Sequence, residues 1–268
     1  MSFSIAGRTA IVTGAANGVG LAIARHFLAQ GANVMLADRD EERLKAEVAG
    51  ADEEEGNARA FTCDLREKLS QANLLSATLD AFDRVDILVN ASRQVLSSDP
   101  LDADDESVEA LLQQNLLASL RLSQVIAKRM IKQAEESEPS QSVGSIVNLS
   151  SIAARRTRPG LMGFSIATAA MDQMTRTLAV ALAPHHIRVN SVAFGSVMSA
   201  SLKDALKETD GLREDIIEHT PLTRIAAAGE VADAVQFLCS DGAGFMTGQI
   251  ITVDGGRTLL DPVETAAH

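Results

Sequence analysis

The sequence predicts an α/β chain built on one doubly wound parallel sheet, and three observations carry that prediction. Short β-rich runs alternate with longer helical patterns through most of the 268 residues. Apolar runs such as Ile87-Leu88-Val89 show no polar alternation, as expected of strands covered on both faces. A glycine-rich turn from Gly14 to Gly20 joins the first strand pattern to the first helix pattern. Hydrophobic residues make up 46% of the chain, enough to fill both faces of such a sheet, and no internal repeat is visible. Residues 1–268 therefore read as a single domain.

The elements follow in order. Thr9 to Thr13 forms the first strand, and a helix runs from the glycine turn to about Gln30, with Val19, Ile23 and Phe27 as its apolar stripe. Gly31 closes that helix, and Asn33 to Ala37 forms the second strand. Further strands are expected at Ala58 to Thr62, Asp86 to Asn90, Ser145 to Leu149, Ile187 to Ala193 and Gln249 to Val253. Long crossover helices are expected over Asp104 to Gln133 and Leu161 to Ala183, and Glu135 to Ser142 reads as a polar loop. Such crossovers are right-handed and put ligands at the carboxyl ends of the strands.

Composition narrows the function. The formal net charge is −12, with acidic clusters at Asp52 to Glu55, Asp102 to Glu106 and Glu135 to Glu138. Such a surface repels nucleic acid and anionic lipid, so neither is an expected partner. Cys63 and Cys239 lack metal-ligand spacing and read as buried thiols of a reducing compartment. No signal peptide or membrane-spanning stretch is read, so a cytoplasmic location is expected. The chain contains no Tyr and no Trp, which excludes any mechanism that needs a phenol.

The turn Thr13-Gly14-Ala15-Ala16-Asn17-Gly18-Val19-Gly20 lets the backbone bend sharply and approach a pyrophosphate at a helix N-terminus. Asp38, at the end of the second strand, stands where an acid binds ribose hydroxyls. Its charge repels a 2′-phosphate and favours NAD over NADP, although Arg39 beside it is able to neutralise such a phosphate. Together these features describe a Rossmann-type sheet with helices on both faces.

At this point the chain, from about Gly7 to Gly256, resembles the short-chain dehydrogenase/reductase family. Gly14 to Gly20 resembles that family's G-x-x-x-G-x-G turn, and Cys63-Asp64-Leu65 its adenine-binding segment. Asn115 falls at its active-site Asn, and Asn148-Leu149-Ser150-Ser151 resembles the strand end carrying its catalytic Ser. Thr247-Gly248-Gln249 and Val253-Asp254-Gly255-Gly256 are similar to its C-terminal signature. The resemblance implies a cofactor site of Gly14, Asn17, Gly18, Val19, Gly20, Asp38, Arg39, Asp64, Leu65, Asn90, Gly195 and Val197. It also implies a substrate loop at residues 196–220 and subunits paired through the two long helices, where Met171, Met174 and Leu178 are apolar.

The same resemblance exposes what is missing. The family's Tyr serves as general acid or base, and a Lys four residues later lowers its pKa. Thirteen residues beyond Ser151, the Tyr position holds Phe164 and the Lys position holds Thr168. Phe has no titratable proton and Thr no charge, whereas acid–base catalysis is typically worth on the order of 10² to 10⁴ in rate. Two further departures fall at the same pocket. Asn90-Ala91-Ser92-Arg93 replaces the family's Asn-Asn-Ala-Gly, and Phe194-Gly195 its Pro-Gly, with Ser199 standing at a frequent Thr. Arg93 is expected to crowd the cofactor, to point away, or to grip a phosphate. Arg155, Arg156 and Arg158 are able to bind an anion, though solvation is the commoner fate of such a run. His185 and His186 read as helix-end residues, and His219 is the one histidine that stands as a candidate replacement base.

Three functions follow from this reading. The favoured one is a pseudoenzyme that keeps the fold and NAD binding, as a homo-oligomer or in a mixed oligomer with a catalytic paralogue. The second is an active NAD(P)-dependent oxidoreductase on an alcohol or ketone, with a proton relay through water, Ser151 or His219. The third is an NAD(H)-responsive binding protein.

Overall fold

The computed structural model describes residues 3–49, 56–136 and 142–261. The acidic cluster at 52–55 and most of the polar loop at 135–142 lie outside the described residues. Seven strands form one parallel sheet: β1 (Thr9–Thr13), β2 (Asn33–Asp38), β3 (Ala58–Thr62), β4 (Ile87–Asn90), β5 (Gly144–Ser151), β6 (Ile187–Phe194) and β7 (Ile250–Val253). Their order is β3-β2-β1-β4-β5-β6-β7. The chain winds outward from β1 to β3, then returns to place β4 on the other side of β1. That reversal opens a crevice at the carboxyl ends of β1 and β4.

Alternate strand residues feed two apolar layers. Ala10, Val12, Ile87 and Val89 pack under α1 (Gly18–Ala29) and α2 (Glu41–Ala49), together with a later helix at Ala228–Cys239. Ile11, Leu88 and Ile146 face α3 (Lys68–Phe82) and a helix at Ala118–Glu135. Both faces are dry, which explains the absence of polar alternation. The expected stripe of Val19, Ile23 and Phe27 lies in the first layer, with Phe27 fully buried. Burying each such large side chain is worth about 1.5–3 kcal/mol.

Most element boundaries agree with the sequence reading to within one or two residues. β5 runs to Ser151 rather than Leu149, because it pairs with β6 along its whole length, as far as Ser151 opposite Phe194. The expected helix over 104–133 is not one helix. It comprises α4 (Ser107–Leu111), a π-helical stretch (Leu112–Leu117) and α5 (Ala118–Glu135). Its start is delayed because acidic side chains capture backbone N–H groups: Asp102 takes that of Asp104, and Asp105 those of Asp99 and Ser107. The remaining helices are α6 (Met162–Leu182), α7 (Ala200–Glu208), α8 (Leu212–Glu218) and α9 (Ala228–Cys239). A 3-10 turn (Ala183–His185) follows α6, and His186 caps that turn in the left-handed conformation, with φ 56°.

Met171 and Met174 are buried within the chain and Leu178 packs against the core, so these residues of α6 are not free for subunit pairing. Ile166 and Val180 are the apolar residues of α6 that face outward. Among the described residues, no helix is long and apolar enough to cross a membrane, and no cluster of His, Cys, Asp or Glu is arranged to hold a metal.

Candidate functional site

Two cavities meet at the carboxyl ends of the strands. The first, of about 380 Å³, lies at the crevice between β1 and β4. Gly14, Asn17, Gly18, Val19 and Gly20 line it from the glycine turn, with Asp38 and Arg39 at the end of β2 and Leu65 beyond β3. The turn requires its glycines. Gly14 has φ +66° and any Cβ there would lie 2.8 Å from the Ser92 backbone; a Cβ on Gly20 would meet the Gly14 carbonyl at 2.1 Å. Packed this closely, the turn sets the N-terminus of α1 at the crevice, where free N–H groups and the helix dipole attract an anion.

Asp38 ties this turn to β2. Its carboxylate accepts the N–H of Ala16 at 3.0 Å, of Arg39 at 2.7 Å and of Asp40 at 3.2 Å. Cys63 also lines the cavity, and burial, aided by the charges of Asp38 and Asp64, pushes its thiol up to about 12. The thiol is therefore protonated and inert at neutral pH.

Four residues of the expected cofactor set, Asp64, Asn90, Gly195 and Val197, do not line this cavity. Asp64 turns its carboxylate onto Arg66, and that hydrogen bond holds its pKa down to about 2. Asn90 is buried in a polar network, donating to Ser123 Oγ at 2.9 Å and to Asn148 Oδ1 at 2.8 Å. Gly195 and Val197 line the second cavity.

That second cavity, of about 440 Å³, holds the positions where the family resemblance puts chemistry. Ser151 and Phe164 line it, but Thr168 does not. The Thr168 hydroxyl folds back into α6, donating to the carbonyls of Phe164 at 2.8 Å and Ser165 at 3.1 Å, and the residue is 4% exposed. Ser151 Oγ accepts the N–H of Ala153 at 3.1 Å and opens a short 3-10 turn. Asn115 sits in the π-helical stretch. Its amide is fully engaged with the backbone of Gln94, accepting the N–H and donating to the carbonyl, each at 2.8 Å. This contact fixes the loop after β4.

Arg93, in that loop, lines both cavities and stands at their junction. Its guanidinium carbon lies 4.1 Å from the Phe194 ring centre and 5.9 Å from that of Phe164. Both distances are within reach of a cation–π contact. Among the described residues, its one hydrogen bond runs to the Ser150 carbonyl at 3.4 Å. Burial lowers its pKa to about 10, so it remains a cation at neutral pH. Of the fates open to Arg93 in the sequence, it does not point away: it is wedged between the two replaced ring positions. Sequence reasoning weighed Phe164 and Phe194 separately and had no signal that Arg93 would bridge them.

His219 is displaced from this chemistry. It is exposed at the end of α8, its ring bonded to the Asp215 carbonyl at 2.9 Å, and it does not line the cavity. Asp172 on α6 is buried, and desolvation raises its pKa, but it lines neither cavity. Among the described residues, the lining of the second cavity contains no carboxylate, imidazole, thiol or amine.

A family model described as enoyl-(acyl carrier protein) reductase matches residues 14–258. Short-chain reductase protein NovJ of Streptomyces niveus is 31% identical over 252 residues, covering 92% of this chain and 93% of that protein. The chain belongs to the short-chain dehydrogenase/reductase family. Other members match most of its length. The 7alpha-hydroxysteroid dehydrogenase of Escherichia coli K12 is 30% identical, over 93% of this chain and 94% of its own. A solved 7α-hydroxysteroid dehydrogenase, complexed with NADH and 7-oxo glycochenodeoxycholic acid, superposes with a TM-score of 0.86 at 29% identity, over 95% of each chain. A short-chain type dehydrogenase/reductase from Mycobacterium ulcerans gives 0.85 at 28% identity, over 96% of this chain and 91% of that one.

A dinucleotide cofactor, which such relatives imply, meets two different receptions here. Its adenosine and pyrophosphate portion fits the residues present: a bare glycine turn, an open helix N-terminus and a carboxylate at Asp38. Toward its reactive end, the Thr168 hydroxyl is turned into its own helix and Arg93 stands at the junction of the two cavities.

Proposed function

We propose that this family member binds NAD through its adenosine and pyrophosphate portion and does not carry out the hydride transfer typical of the family. It acts as a pseudoenzyme, a partner or regulatory subunit of an oxidoreductase. One observation carries the reading: the family resemblance puts Phe164 and Thr168 at the acid–base positions, and among the described residues no titratable oxygen, nitrogen or sulfur donor other than arginine lines the cavity that Phe164 borders. Arginine stays protonated and cannot serve as a base near neutral pH.

Asp38 supports NAD over NADP, since its carboxylate disfavours a second phosphate nearby. A cytoplasmic location and an oligomer, with itself or with a catalytic paralogue, belong to the same proposal. Outward-facing Ile166 and Val180 on α6 support the pairing. The test is calorimetric titration with NAD and NADP, alongside reduced-nicotinamide absorbance with a panel of alcohols and ketones. The proposal expects NAD binding without turnover. Steady turnover, abolished in Ser151→Ala, would reject it.

A further inference from the structure

The second cavity has a lining unlike the rest of this acidic protein. Among the described residues, four arginines line it (Arg93, Arg156, Arg158 and Arg257) and no acidic side chain does, in a chain whose net charge is −12. Two of the four are held by neutral groups within the chain. Arg156 donates to the carbonyls of Thr258 and Leu260, and Arg257 donates to Ser196 Oγ at 2.6 Å. Arg93 has only the long bond to the Ser150 carbonyl and the faces of two phenyl rings. A half-buried guanidinium with so few hydrogen-bond partners among the described residues keeps N–H donors available, and an anion beside it recovers part of the desolvation cost. The walls facing it are hydrocarbon: Leu161 before α6, Leu202 on α7, Leu212 and Ile216 on α8, and the rings of Phe164 and Phe194.

We propose that this cavity binds an apolar organic carboxylate, its carboxylate on Arg93 and its hydrocarbon body against the walls supplied by α7, α8 and the two phenyl rings. A planar guanidinium fork matches a carboxylate with two parallel hydrogen bonds, which a lone hydroxyl or ketone is unable to use. Arg158 and Arg257 add positive potential near the opening and favour entry of an anion. The volume of about 440 Å³ falls in the range of small-molecule sites. The assignment rests on the reading above only in placing this ligand next to the cofactor cleft; it requires neither catalysis nor bound NAD.

The probes are octanoate and 1-octanol, titrated calorimetrically into the full chain at low salt. Octanoate is expected to bind about tenfold or more tightly than 1-octanol, the usual worth of a hydrogen bond to a charged group. Arg93→Met should remove that preference while leaving 1-octanol affinity nearly unchanged. If Arg93→Met does not give a cooperative thermal melt, the double variant Arg158→Gln with Arg257→Gln should weaken octanoate severalfold and spare 1-octanol. Equal affinity for the two probes, or octanoate affinity unaltered in a folded variant, overturns the proposal. A parallel NAD titration separates the two readings. Octanoate binding without NAD binding retains this inference and rejects the cofactor assignment, and NAD binding without octanoate binding does the reverse.

Discussion

The two cavities share a wall at Arg93 yet differ in what they keep. In the first, the backbone sets the geometry: glycines that admit no Cβ, a helix N-terminus, and a carboxylate bonded to three backbone N–H groups. In the second, the family resemblance puts the chemistry on two side chains, at the positions held by Phe164 and Thr168. The difference teaches that binding and reactivity are written in separate parts of the fold. Phe164 and Thr168 lie in α6, apart from the glycine turn, so on the proposed reading one function lapses while the other persists.

That contrast can be broken from either side. Gly20→Val should be the most damaging change, since its Cβ would fall 2.1 Å from the Gly14 carbonyl. It should abolish NAD binding in calorimetry and lower the melting temperature. Next comes Phe164→Tyr with Thr168→Lys, which restores an acid and its tuning charge. Turnover in the carbonyl panel should rise by on the order of 10²-fold or more above the parent background. No gain would mean that Arg93 or the cavity shape also blocks the reaction.

Asp38→Ala should weaken NAD by about tenfold through lost ribose hydrogen bonds and narrow the preference over NADP. Part of any loss will come from the freed N–H of Ala16, which a melt would register. Thr168→Val should change NAD affinity by less than about twofold, because the hydroxyl bonds only its own helix and serves no ligand. A larger loss would mean that Thr168 reaches the cofactor after all. The weakest effect concerns acid. Asp64 is held down to about 2 by Arg66, below its ordinary 3.8. The stabilisation is therefore complete above pH 4 and fades as pH falls through 2. Asp64→Asn should flatten that part of the acid unfolding profile, modestly, because the pair is solvent-accessible.

Much of this was legible in the sequence. The apolar runs and the helix stripe gave the layers, because period and burial leave direct marks in composition. The glycine turn and Asp38 gave the first cavity, because a backbone constraint forces residue type. Three things were not legible. Asp64 and Asn90, expected at the cofactor, do not line the first cavity; they bond Arg66 two residues away and Asn148 on the neighbouring strand. The helix expected over 104–133 breaks into a π-helical stretch at Asn115, whose amide bonds Gln94 from a distant part of the chain. Arg93 meets Phe194 from 101 positions away along the chain, and no local pattern marks such a contact.

The central claim is that cofactor binding survives without hydride transfer. Stopped-flow absorbance of NADH, mixed with the purified chain and the carbonyl panel, tests it most directly once binding has been measured by calorimetry. The account predicts a bound cofactor whose reduced-nicotinamide signal stays constant over many minutes. A steady loss of that signal that depends on substrate and vanishes in Ser151→Ala would contradict it.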